Sequence, residues 1–333
     1  MKKIIKFSKP IEDVARIKKS LISNNKENLI KNNKINKIYK KQKIRKKCII
    51  CEYKIKYTDF ISHNIPYNIC RKCGHLNGRK LIDKSFNDHI YSSEKGSRFS
   101  YKYKSHYVSR VKNIYRPKIK FLNYVLKKKY KILDFGCGAG HLIKSCEDLG
   151  INGVGIDPNQ ELIDLGRKYL KKNQLFKLNF NDCLNYIKES KADVLSLIFV
   201  LEHLEKPKEI FDIFLKSKIK YLFISVPLNS FSVFIENVFK DICPRQLGGP
   251  HTNLYSKESL NYLIKKYKFK NIGEWWFGSD FNDLYRSILI SSNFRTEHYK
   301  KKFDEIFLKN IDSFQSILDK EKLCSEIHLI LKK

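Results

Sequence analysis

The sequence predicts an α/β protein, a doubly wound and mainly parallel seven-stranded sheet, with a small cysteine-knuckled module ahead of it. Three observations predict this. From Lys131 onward, short apolar runs alternate with helical stretches; a glycine-rich turn follows the first of those runs; and two Cys-x2-Cys pairs precede them. At 333 residues and 42% hydrophobic composition the chain has material for a sizeable core, which excludes disorder throughout.

The formal net charge of +33 is unevenly spread. Residues 1–47 contribute +14, residues 48–130 another +14, and residues 131–333 only +5. The excess is mostly Lys, in company with Ile and Asn, a mix that an A/T-rich coding sequence also produces. Such a bias would load the whole chain, so it does not explain the asymmetry.

Residues 1–47 read as a basic leader. A possible amphipathic helix, carried by Ile11, Val14, Ala15, Ile17, Lys18, Leu21 and Ile22, runs into Lys/Asn/Ile repetition, and low complexity predicts a mobile segment from Ser23 to Lys47. Residues 48–80 hold Cys48-x2-Cys51 and Cys70-x2-Cys73, 18 residues apart. Each knuckle aims two thiolates at one ion, and two knuckles close a tetrahedron with no position left for water, so the reading is a structural zinc ribbon. His75 is a less favoured substitute ligand. Cys137, Cys146, Cys183, Cys243 and Cys324 lack partner spacing and read as core or loop residues.

Residues 81–128 form a helical arm, with Tyr101, Tyr107, Val108, Val111, Ile114 and Tyr115 on one face and a second helix over Ile119–Leu126. Residues 129–333 are the main domain. Its strands are expected in KILDFG, NGVGID, LFKLNFND, ADVLSLIFV and YLFISVP, then around Asn271–Phe277 and Glu326–Leu331, with helices over Ser256–Tyr267 and His298–Leu318. The longest apolar run, Val194 to Leu201, is far short of a membrane span, so no membrane insertion is expected. A basic start without an apolar signal stretch, and cysteines spaced for metal, point to the cytoplasm.

Asp134-Phe-Gly136-Cys137-Gly138-Ala-Gly140 follows the first strand of the domain and opens a helix. Glycines there let the backbone approach a ligand, and free N–H groups at the helix start favour a polar or anionic group. A nicotinamide fingerprint would need glycine at position 141, which is His141. The run instead resembles motif I of the class I S-adenosylmethionine-dependent methyltransferases. That resemblance implies that Asp134 orients the cofactor's amino group and that Gly136, Cys137, Gly138 and Gly140 form its cradle. It further implies that Asp157, ending the second strand, accepts the ribose hydroxyls and that Asp182, placed at the end of strand three, meets the adenine amino group. The segments ADVLSLIFVLEHLEKP and GGPHTNLYSKESLNYLIKKYKF also resemble the family's small-molecule branch.

The Asn/Asp-Pro-Pro-aromatic run of exocyclic base methylation is missing, since Phe199-Val-Leu-Glu202-His203 stands in its place. VLEH is similar to the run of quinone-pathway O-methyltransferases. A metal-binding version carries an acid where this chain has Phe199, which argues against a catalytic metal. His203 is the candidate general base at the carboxyl edge of the sheet, with Glu202 beside it, and each is equally readable as a bracing residue; His251, after the Gly248-Gly249-Pro250 turn, could face substrate but reads rather more as a brace of the loop. Of the adjacent Trp275 and Trp276, one is expected in the core and the other in the pocket or beneath the C-terminal helix. A ribbon before this domain resembles two arrangements, sugar C-methyltransferases of glycan assembly and ribosomal RNA guanine methyltransferases. The expectation is methyl transfer to a small molecule, a nucleotide-linked sugar or glycan intermediate. RNA, gripped by the basic N-terminal third, is the alternative, and a zinc-ribbon binding protein with an inactive methyltransferase fold is a third.

Overall fold

The computed structural model describes residues 2–11, 20–83, 86, 90, 104–248 and 251–333. The basic leader departs most from expectation. Ile4–Phe7 form a strand, β1, and Asn25–Lys40 a helix, α1, so the segment expected to be mobile carries an element with tertiary contacts. Polar groups hold α1 in place. Asn25, Asn32, Asn36 and Tyr39 share one helical face and are buried. Asn25 donates to the carbonyl of Asp241, Asn36 to that of His63 and the Tyr39 hydroxyl to that of Lys80. Low-complexity composition concealed this face because its anchors are asparagines, not apolar residues. In the helix expected over residues 11–22, Val14, Ala15, Ile17 and Lys18 lie outside the described residues, as does Tyr101 of the arm.

The cysteine module folds as β2 (Phe60–Ser62), β3 (Ile65–Ile69) and β4 (Leu76–Gly78), paired antiparallel. The arm contains α2 (Lys104–Arg110), a π-helical turn over Val111–Tyr115 and α3 (Arg116–Leu126). Pro117 stands where the π turn passes into α3 within one continuous helical run and has no N–H to give the preceding turn, whose Asn113 carbonyl accepts from Lys9 Nζ instead; Lys127 ends the helix at φ 51°.

The main domain then alternates as its sequence predicts: β5 (Ile132–Phe135), α4 (His141–Asp148), β6 (Gly153–Asp157), α5 (Gln160–Arg167), β7 (Leu175–Lys177), α6 (Phe180–Glu189), β8 (Val194–Ile198), α7 (Pro207–Lys216) and β9 (Tyr221–Pro227). It continues through α8 (Phe231–Val238), β10 (Asn253–Leu254), α9 (Lys257–Lys266), β11 (Lys270–Phe277), α10 (Asp280–Ser291), α11 (Glu297–Lys320) and β12 (Glu326–Lys332). Asn159 and Asn179 cap α5 and α6, and Ser256 closes a reciprocal box with Ser259 at the start of α9.

Among the described residues the large sheet has eight strands, in the order β1-β11-β12-β9-β8-β5-β6-β7. Seven belong to the expected set; the eighth is β1, which pairs parallel with β11 at the edge. Only β12 runs antiparallel to its neighbours β9 and β11. Both faces are covered, and β8 shows this by alternation: Leu195 and Leu197 enter one apolar cluster, Val194 and Ile198 the other. Trp275 and Trp276 likewise take opposite faces, but both are core residues, 2% and 3% exposed, which removes the pocket-lining alternative. Their indoles donate to the Ser8 carbonyl and to Glu274. The small sheet has the order β10-β4-β3-β2, so the main domain contributes a strand to the ribbon.

Candidate functional site

The glycine loop lies between β5 and α4 at the carboxyl edge of the parallel strands. Gly136, Gly138 and Gly140 have φ of 71°, 52° and 67°, a region that L side chains enter only with strain. Packing adds to the requirement at two of them: a Cβ on Gly136 would meet Val200 at 2.6 Å and one on Gly140 would meet Leu175 at 2.7 Å. Gly138 faces open space, its nearest contact being Leu162 at 3.8 Å. The loop is therefore packed on two sides and open on the third, which fits a cradle for a ligand.

Asp157 closes the loop. Its two carboxylate oxygens accept the N–H of Gly138 at 2.8 Å and of Asn159 at 2.9 Å, and lone pairs remain for hydroxyl donors. Asp134 is 3% exposed and accepts from the Ser196 hydroxyl at 2.7 Å. Burial pushes its carboxyl up to about 7, a hydrogen bond from Ser196 opposing and the charge of Asp157 adding to the rise. Burial also raises Asp157. Two desolvated carboxyls beside an open cradle suit a ligand that brings a cationic amino group and hydroxyls. Cys137 is a buried thiol, held protonated by burial and then by Asp157 and Asp134.

Asp182 is not at a strand end. β7 stops at Lys177, and Asp182 stands in the first turn of α6, where its N–H is taken by Asn179 Oδ1 and its carboxylate accepts from Asn179 Nδ2. It is exposed on the first turn of that helix.

The three acceptor-side candidates come together. Ligand atoms of Glu202, His203 and His251 lie within 4.8 Å of one another, and the two imidazole rings are 5.0 Å apart. Glu202 is fully buried, its oxygens have no hydrogen-bond partner among the described residues, and His203 Nε2 stands 3.9 Å away. Burial pushes the Glu202 carboxyl up to about 8. His251 Nδ1 faces the Gln246 carbonyl at 3.1 Å and so carries the proton in the neutral ring, which puts the basic lone pair on Nε2. The set could also hold a divalent ion, though Phe199 supplies no further donor. Gly249 and Pro250 lie outside the described residues.

Phe199 takes φ 56°, a strained value for a non-glycine residue, and its ring is 4.8 Å from the buried Lys118 ammonium. The sequence drew attention to Phe199 only as a missing acid. Ser196, Lys118 and Asn253 gave no signal, because their neighbours are remote in the chain.

The four knuckle cysteines are buried with all sulfurs within 4.8 Å of one another. Cys48–Cys73 and Cys51–Cys70 are 3.6 and 3.4 Å apart, close to the edge of about 3.8 Å that a tetrahedron with zinc–sulfur bonds of about 2.3 Å requires. The donor set fits zinc in a closed site. His75 is not among the converging groups; its Nε2 faces Asn253 Oδ1 at 3.0 Å. Cys137, Cys146, Cys183, Cys243 and Cys324 are buried core residues, as expected. Among the described residues no helix is long and apolar enough to cross a membrane.

Residues 107–274 match the family model for a methyltransferase domain. The ubiquinone biosynthesis O-methyltransferase of Pelagibacter ubique (strain HTCC1062) is 33% identical over 98 residues, 28% of this chain and 38% of that protein, so the match spans well under half of that relative. Among solved structures, a SAM dependent methyltransferase from Archaeoglobus fulgidus is 21% identical with TM-score 0.43, covering 65% of this chain and 93% of that one. The plantazolicin methyltransferase BamL is 16% identical with TM-score 0.44, covering 74% and 93%.

Proposed function

The chain belongs to the methyltransferase-domain family, and on that premise we propose that it transfers a methyl group from S-adenosylmethionine, by in-line displacement, to a small molecule, a nucleotide-linked sugar or glycan intermediate. The observation that supports this reading is that two clusters follow the ends of adjacent parallel strands, β5 and β8, with Val200 packed against Gly136 between them. One is the left-handed glycine loop with Asp134 and Asp157; the other is Glu202 with His203 and His251.

Asp134 and Asp157 would hold the cofactor's amino group and ribose, with Gly136, Gly138 and Gly140 against its backbone-facing side. When bound, the cofactor supplies a methyl group activated by a sulfonium. The chain's own residues supply alignment and proton handling. Orientation of nucleophile and methyl accounts for most of the rate in such a displacement, and a base is needed only where the nucleophile carries a proton. His251 Nε2 and the His203 ring are the candidate bases. Glu202, buried beside His203, stabilises the imidazolium that forms there and draws its own proton-binding range down as it does so. Two bases and a buried acid on the acceptor side support a hydroxyl or amino nucleophile. The zinc of the ribbon is a structural ion in this reading and takes no part in transfer.

The test is incubation of the protein with S-adenosylmethionine carrying a deuterated methyl group and separate nucleotide-sugar and RNA pools. Label in the nucleotide-sugar pool is expected; label confined to RNA overturns the substrate reading. Calorimetry that detects no S-adenosylmethionine binding overturns the reaction as well.

A further inference from the structure

The ribbon grips the segment that carries the acceptor-side residues, and it does so from two directions. From one side, β10 joins the ribbon sheet with Asn253 opposite Asn77, and the Gly78 N–H donates to the Thr252 carbonyl at 2.7 Å. The buried Asn253 side chain then divides its two functions. Its Nδ2 donates to the Glu202 carbonyl at 2.6 Å, and its Oδ1 accepts from His75 Nε2 at 3.0 Å. Asn77, in turn, turns its Nδ2 to the Cys48 sulfur at 3.6 Å and to the His75 carbonyl at 2.9 Å. An unbroken set of polar contacts thus leads from a zinc-site thiol to the backbone of Glu202.

From the other side, Arg45, three residues before Cys48 of the first knuckle and 3% exposed, makes a two-pronged contact with Glu205. Nη1 and Nη2 stand 2.6 and 2.7 Å from the two carboxylate oxygens, and its remaining donors go to the Gly78 and Lys80 carbonyls. Glu205 also accepts the Ile82 N–H at 2.7 Å. Among the described residues the Glu202 carboxyl oxygens have no hydrogen-bond partner, so the position of Glu202 depends on what holds the backbone on either flank.

We propose that Asn253 and the Arg45–Glu205 pair are positioning residues through which the four-cysteine ribbon fixes the Leu201–Glu205 segment; this rests on reading that segment as the acceptor side of a methyl-transfer site. The ribbon then serves the reaction without touching the cofactor half of the cleft. Its hydrogen bonds to that segment fall on Glu202 and Glu205, whereas the glycine loop is held by Asp157, Val200 and Leu175.

The experiment compares wild type, Asn253→Asp and Arg45→Lys. Asn253→Asp keeps the acceptor for His75 and removes the donor to Glu202; Arg45→Lys keeps the charge and removes the fork. Amide exchange at residues 203–204 is expected to speed up about 3- to 10-fold in each variant, the loss of about one hydrogen bond, with residues 136–140 unchanged. Zinc content and S-adenosylmethionine affinity by calorimetry should match wild type. Turnover of the labelled nucleotide-sugar fraction should fall about tenfold in kcat, with KM for S-adenosylmethionine unchanged. Unchanged exchange at 203–204 in both variants overturns the proposal, and so does equal loosening of residues 136–140, which would mean general destabilisation. Should a variant fail to fold, removing zinc from wild type with a chelator decides: selective loosening of 201–205 supports the proposal, and its absence overturns it. Failure of wild type to bind S-adenosylmethionine would remove the reaction reading while the exchange pattern still judged the mechanical link.

Discussion

Cofactor affinity should rise with pH across neutrality, because the amino group is assigned to a carboxyl that burial has made hard to ionise. Asp134 is 3% exposed and pushed up to about 7, with Ser196 as its hydrogen-bond partner. Below that value the carboxyl is mostly neutral and attracts an ammonium poorly. From pH 6 to pH 8 its ionised fraction climbs from about one-eleventh to about ten-elevenths, so the association constant should grow about tenfold, or about 1.4 kcal/mol. The sign follows from competition: a proton and the ligand's cation seek the same carboxylate, and the proton wins at low pH. Isothermal calorimetry with S-adenosylmethionine at several pH values and fixed ionic strength measures it. Asp134→Asn should bind more weakly and without this slope, whereas Glu202→Gln, altered on the acceptor side only, should retain it. A wild-type affinity that is flat, or stronger at pH 6, would refute the assignment of Asp134 to the amino group.

Three further outcomes are expected. Gly140→Ala places a Cβ 2.7 Å from the Leu175 methyls at φ 67°; left-handed strain and overpacking together should cost about 2–4 kcal/mol in denaturant unfolding, and a loss below about 0.5 kcal/mol would show that the loop relaxes. Cys70→Ser removes one of four converging thiolates, so zinc measured by atomic emission should drop from one per chain to substoichiometric, with a lower melting temperature; retained zinc would exclude the four-cysteine site. Glu202 and Asp134 have folded-state values raised by burial, to about 8 and about 7, so the native protein holds protons that the unfolded chain gives up. That contribution to stability is present at low pH and lost as pH rises from about 5 to about 8, and Glu202→Gln should flatten the decline in melting temperature; a steeper decline in the variant would contradict it.

Much of the main domain was legible because its information is local. Apolar runs followed by turn residues mark β5, β6, β8 and β9, and the glycines at 136, 138 and 140 announce their left-handed backbone directly. The convergence of the four cysteines was legible for the same reason, since knuckle spacing is a property of a few consecutive residues. Asp182 shows the limit of that logic. The run NFND looks like the close of a strand, yet Asn179 is a strong cap and starts α6 two residues before the aspartate, so capping chemistry decided the boundary.

What stayed hidden is whatever depends on residues far apart in sequence. β1 is four residues, three of them exposed, and has no strand signature of its own; it exists because β11 offers an open edge, reinforced by Lys3 and Lys322 converging on Glu274. Hydrogen bonds from Lys3, Trp276 and Asn271, with the charge of Lys3, overcome the burial of Glu274 and bring its carboxyl down to about 2, so part of the N-terminal positive charge serves the fold. Arg45 gives a second instance: within KKQKIRKK it reads as one more solvated cation, yet it is buried against Glu205, 160 positions later. The basic excess therefore cannot be assigned as a block to a polyanion partner. Lys3 and Arg45 already have acidic partners on the main domain, and only the cations left outside such pairs, Lys31 with its helical neighbour Glu27 among the paired ones, remain to meet a phosphate. A partner reading from net charge has to begin from that smaller set.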